Sequence, residues 1–244
     1  MDRQQERTWL DVPFERNKHV KALGARWDPA ARSWYAPRAG MTSLTRWARL
    51  PEVLPGEDRS FGSGLFIDMI PSTSWFRNVR AAVDPDDWHR LRVMVYGRAG
   101  HRCEACGCPP HKASGKFLEA HERFAYDDAT RVQALRRLIC LCTWCHTVTH
   151  FGLAQVRGEA GRATAWLETV RNMYPWQSDA HIREAFAAWE ARSQIAWTLD
   201  LTVITNAGIG VHQPEPVAAP PWPPRFPDPP DSGGRFSATV TEMP

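Results

Sequence analysis

Two C-x2-C pairs, Cys103/Cys106 and Cys142/Cys145, restrict what this chain can fold into more than any other feature. A two-residue gap lets one tight knuckle present two thiolates to a single ion, and two such knuckles supply the four sulfurs that zinc takes at tetrahedral corners. All 6 cysteines of the 244-residue chain fall in this stretch. With the chain placed in a reducing compartment, the paired ones read as metal ligands before disulfides. Two knuckles of equal spacing complete the tetrahedron, which makes Cys108 a bystander and Cys140 a small buried strand residue. Binding of a structural zinc is worth about 10 to 16 kcal/mol, comparable with what holds a whole domain folded. The knuckles are therefore expected to set the fold.

Histidines follow the second pair as His146-x3-His150. On a helix this spacing puts both imidazoles on one face, a turn apart and able to share a second metal. His121 lies between the pairs, at the end of a short, partly apolar run.

The segments CEACG, LEAHER and LICLCTWCHTVTH together resemble the HNH (ββα-metal) nucleases, in the branch whose motif is clamped by two zinc knuckles. The likeness is to a subgroup reading HERW, then Tyr-Asp, then LCxxCH and a histidine four further on. This chain has His121-Glu122-Arg123-Phe124, Tyr126-Asp127, Leu141 to His146, and His150, with Phe124 where the subgroup has tryptophan. The resemblance covers roughly residues 64 to 204. It implies an α+β, treble-clef-like core with flanking helices: a first strand over Lys116 to His121, a second over Leu138 to Leu141, and a helix from Thr143 to Phe151 stopped by Gly152.

It also implies a metal-dependent DNA endonuclease. Cys103, Cys106, Cys142 and Cys145 would hold a structural Zn²⁺. His121, His146 and His150 would hold a catalytic divalent ion, Mg²⁺, Mn²⁺, Ni²⁺ or Zn²⁺. Two registers of the strand stay open: one makes His121 the ligand with Glu122 in the general-base position, and the other makes His121 the base. The family's asparagine before the second strand is replaced by Arg137, which joins Arg131 and Arg136 as candidate phosphate contacts, with Arg77 and Arg80 from an upstream loop. The alternative function is a catalytically impaired, zinc-stabilised nucleic-acid-binding module.

The rest of the chain divides by composition. Residues 1–50 form a small aromatic and basic domain: a short helix from Glu15 to Leu23 closed by Gly24, then a hairpin carrying Trp27 and Trp34-Tyr35. Val12-Pro13, the run from Ala22 to Asp28, and Trp34-Tyr35 resemble a small domain of unknown function found in prokaryotic mobile-element and DNA-processing proteins. Its tryptophans read as its own core before they read as a base-stacking platform. Residues 51–63 read as a linker and Leu65 to Ile70 as a strand. Asp84-Pro85-Asp86-Asp87 starts a helix running to about Gly97, with Trp88, Leu91, Met94 and Val95 as its buried stripe. Helices follow over Ala160 to Tyr174 and from a cap at Ser178, then an edge strand within Trp197 to Ile204. Residues 205–244 become proline-rich and read as a disordered tail.

A formal charge of +3 permits nucleic acid without demanding it. The polar N-terminus and the lack of any long apolar run predict a soluble, cytoplasmic protein with no membrane partner.

Overall fold

The computed structural model describes residues 7–75 and 77–212. The N-terminal unit opens with β1 (Thr8–Leu10), passes through a 3-10 turn at Phe14–Arg16 into α1 (Asn17–Ala22), and continues as β2 (Arg26–Asp28) and β3 (Ser33–Ala36). The strands form an antiparallel sheet in the order β1-β3-β2, with Leu10 and Trp27 both opposite Trp34. Gly24 closes α1 at φ +93°, where a Cβ would be strained and would lie 3.0 Å from the Met41 side chain. The helix and hairpin are as expected, whereas β1 is too short to carry an alternation pattern. The core here is Leu10, Val20, Leu44 and Trp47. Trp27 is 49% exposed, so it is not the core residue that composition suggested.

Residues 51–63 are packed rather than strung out. Leu54 is buried, and the fully buried Glu57 carboxylate pairs with the fully buried Arg98 guanidinium at 2.6 Å. Leu65, Ile67 and Met69 alternate inward as a strand's side chains would, but their backbone joins no sheet among the described residues. Ile67 N–H donates to His181 and Asp68 N–H to the Thr149 carbonyl. Next come α2 (Val79–Ala82), capped by Asn78, and α3 (Pro85–Arg98), whose Asp84 cap accepts from Asp86 N–H as the sequence predicted.

A long antiparallel hairpin, β4 (Leu118–Asp127) and β5 (Val132–Cys142), leads without a loop into α4 (Thr143–Thr149). Both strands outrun their predicted bounds. The added residues carry charges that look like surface, yet Arg123 and Arg137 are buried, paired with Asp68 and Glu104. The helix breaks at His150 and resumes as α5 (Phe151–Val156), so Gly152 lies inside a helix and stops nothing. Then α6 (Ala160–Arg171) and α7 (Pro175–Arg192) lead back to β6 (Thr198–Asp200), parallel to β5, and to α8 (Thr202–Thr205). Ser178 is buried within α7 and donates to Glu168 instead of capping the helix.

The hairpin divides two cores. Leu138 and Cys140 face α2, α3 and α8, while Ile139 and Leu141 face α4 to α7, as a strand's alternation requires. The chain stays packed to His212: Ile209 is buried, Val211 bridges Val83, and His212 N–H donates to the Ala82 carbonyl. The remainder of the proline-rich stretch, from Gln213 onward, lies outside the described residues. No helix among them is long and apolar enough to cross a membrane.

Candidate metal centres

The first knuckle leaves α3 through a turn at Gly100, and the second sits where β5 becomes α4. Between them they bring Cys103, Cys106, Cys142 and Cys145 to within 4.8 Å of one another. Cys106 Sγ and Cys142 Sγ are 3.7 Å apart. Four sulfurs at about 2.3 Å from one zinc in a tetrahedron sit about 3.8 Å from each other, so the spacing fits that ion. Hydrogen bonds from Cys142 and Cys145 hold the Cys103 thiol far below the ordinary range, while hydrogen bonding with Cys103 and Cys142, and then burial, push Cys145 up. A bound cation relieves that conflict by letting all four ionise. Trp166 Nε1 donates to Cys145 Sγ at 3.2 Å, the kind of outer contact that steadies a thiolate ligand. Cys108 and Cys140 stand outside this cluster, and Cys140 is buried in the opposite core.

The second cluster is made of His121 on β4 with His146 and His150 from α4 and its end. Their ligand nitrogens also lie within 4.8 Å of one another. Ring centroids are 5.4, 4.8 and 4.5 Å apart for the pairs 121/146, 121/150 and 146/150. His150 N–H still donates to the His146 carbonyl, so the break in α4 falls after the turn that aligns the two rings. Burial pushes all three imidazoles below their ordinary range and keeps them neutral, the form that ligates a metal. For His150 the value falls to about 3. His121 is buried and its Nε2 has no hydrogen-bond partner among the described residues. A buried nitrogen left without a partner costs about 1 to 3 kcal/mol, which an ion would offset. Three imidazoles are a donor set suited to zinc or nickel before magnesium.

The site is open on one side, where His146 and Glu119 keep 27% and 39% of their side-chain surface. Glu119 Oε2 lies 3.2 Å from His146 Nδ1. It shares a strand face with His121, two residues on, and that period-two relation is the signal by which the sequence could have nominated it. Arg157, exposed at the end of α5, is close enough to depress His146 and His150 electrostatically.

Glu122 is not brought to this cluster. Strand alternation turns it to the other face, where its carboxylate accepts from Val79 N–H at 3.1 Å at the start of α2. Burial pushes it above the ordinary glutamate range. The arginines also separate. Arg137 is buried, donates to the Arg59 carbonyl and pairs with Glu104 at 2.7 Å, so it braces the first knuckle from inside the protein. Arg77 donates to the Trp197 carbonyl, and Arg136 lies 3.7 Å from Asp58. Arg80 and Arg131 are exposed. Arg131 sits beyond the tip of β4, about 20 Å along the strand from His121 at roughly 3.4 Å per residue.

Residues 7–49 match a family described as a domain of unknown function, DUF5710. Two relatives, each named DNA primase TraC and each from Escherichia coli, match parts of the chain. One is 53% identical over 104 residues, covering 38% of this chain and 7% of the primase. The other is 50% identical over 52 residues, covering 21% of this chain and 5% of the primase. The chain thus spans less than a tenth of the length of these relatives. No solved structure matches it.

Proposed function

We propose that this chain is a metal-dependent DNA endonuclease of the HNH type, hydrolysing phosphodiester bonds at the cluster of His121, His146 and His150. The observation that carries the reading is the convergence of three neutral imidazoles on one point, with the Nε2 of His121 buried and unpartnered. A divalent ion held there would draw in a phosphate oxygen and stabilise the charge on the departing one. Glu119, exposed beside the cluster, is the group placed to accept the proton of an attacking water. Arg157, near enough to act on His146 and His150, contributes positive charge for the phosphate. Glu122 drops out of the chemistry and becomes the anchor of α2. The cysteine cluster holds a structural zinc that fixes α4 against β5. The likeness to proteins named DNA primase supports DNA as the substrate.

A zinc-stabilised nucleic-acid-binding module is the second reading. What favours it is Glu122, since the residue at the general-base position points away from the site. Nicking of supercoiled plasmid with Mg²⁺, Mn²⁺, Ni²⁺ or Zn²⁺ distinguishes the two. The nuclease reading expects cleavage that His146→Ala abolishes and Glu119→Gln lowers by about 10²- to 10⁴-fold. Plasmid that is bound but not cut with any of the four ions supports the module.

A further inference from the structure

A groove of about 340 Å³ runs between the N-terminal unit and α3, and it shares no residue with either metal cluster. Phe14, Trp27 and Trp34 line one wall and Val93 of α3 the other. Phe14 is 81% exposed, Trp27 49% and Val93 48%, so a concave apolar surface faces solvent. Trp27 and Trp34 stand opposite each other across β2 and β3, with ring centroids 5.6 Å apart and planes at 64°, forming a notch. The Trp34 indole N–H is occupied by Asn17 Oδ1 at 2.8 Å, which locks that ring. The Trp27 indole N–H meets no acceptor among the described residues.

The charges around the groove argue against a nucleic-acid backbone. Arg49 pairs with Asp11 and Arg90 with Asp87, which leaves Arg32 as the arginine of the lining without a carboxylate partner among the described residues. Phosphate binding draws on several unpaired cations at once. A notch of aromatic rings beside a free indole donor instead suits proline, whose flat ring packs between aromatics and whose preceding carbonyl accepts a hydrogen bond.

This chain carries such a ligand. Residues 220–230 read PPWPPRFPDPP. The described chain ends at His212, hydrogen-bonded to Ala82 and so beside the start of α3, the helix whose His89, Arg90 and Val93 line the groove. Val93 lies about 12 Å along that helix from Pro85, at 1.5 Å per residue. Eight residue steps separate His212 from Pro220, so the chain can reach at most roughly 25 Å at 3.1 Å per step, enough to bring the proline run to the groove. We propose that residues 220–230 dock in the groove of Phe14, Trp27, Trp34 and Val93, so that the proline run of this chain is the ligand of its own aromatic surface.

The test places a photoreactive phenylalanine analogue at position 93 of the full chain and maps the crosslinks by peptide mass spectrometry. Crosslinks within one chain to residues 220–230 are expected, reduced about tenfold or more by Trp27→Ala, the loss of one anchoring aromatic. The double substitution Pro221→Ala with Pro224→Ala is expected to reduce them likewise. Crosslinks between two chains, crosslinks to added oligothymidylate in preference to the tail, or no tail crosslink at all would overturn the proposal.

Discussion

Glu119 and Glu122 stand three residues apart on one strand and meet different surroundings because alternation sends them to opposite faces. Glu119 borders the histidines at the solvent side, while Glu122 holds the first amide of α2. Replacing Glu122 with alanine leaves that amide buried without an acceptor, a loss of about 1 to 3 kcal/mol that urea unfolding would register. Glutamine keeps an acceptor oxygen there and should unfold near the wild-type midpoint. A Glu122→Gln variant as stable as wild type but without nicking activity would return this residue to the chemistry. The three histidines were legible because helical spacing and a strand motif carry them. Arg137 was misread because a single sequence does not reveal that an arginine has a half-buried glutamate, Glu104, waiting for it. Glu119 was legible in principle, by counting two back from His121.

At the scale of elements, α4 joins the two clusters, since Cys145 and His146 are adjacent on it and its start is fixed by Cys142. Serine at Cys103 or Cys142 should therefore yield insoluble or unfolded protein. A variant that keeps the wild-type melting temperature would show that the knuckles do not set the fold. The Glu57–Arg98 pair ties the segment after the N-terminal unit to α3 and β5. Burial alone would raise the Glu57 carboxyl, but hydrogen bonds from Arg98 and from the Leu138 and Leu54 amides more than offset it and hold it below the ordinary range. A carboxylate so depressed contributes stability above its unfolded pKa and loses it as pH falls through the folded value. Arg98→Met leaves Glu57 buried without its cation, at a cost of about 3 to 5 kcal/mol. Calorimetry at neutral pH should show the loss, narrowing on acidification as Glu57 protonates. Proline and glycine content pointed to a linker here, because partners as remote in sequence as Arg98 and Leu138 leave no local trace.

In the whole molecule, the N-terminal unit rests on the start of α3. Arg16 pairs with Asp86 at 2.7 Å, Arg46 approaches Asp84 at 3.0 Å, and the buried Arg90 donates to the Ala48 carbonyl. Exposed pairs contribute about 0 to 1 kcal/mol each, so Arg90 and the burial of Leu50 in the main core dominate the docking. Arg90→Met should turn one calorimetric transition into two, and a single transition at the wild-type temperature would show that Arg90 does not couple the units. The division into an aromatic unit and a zinc-clamped unit could be read from composition, but their contact could not, since it rests on pairings specific to this fold. Titration of metal-free full chain with Co²⁺ tests directly whether one chain builds two ion sites of different chemistry. The structure predicts two equivalents, the first with an intense thiolate-to-cobalt band and the second without it, and His146→Ala should lose only the second. A single equivalent in both proteins, with the thiolate band alone, would contradict it.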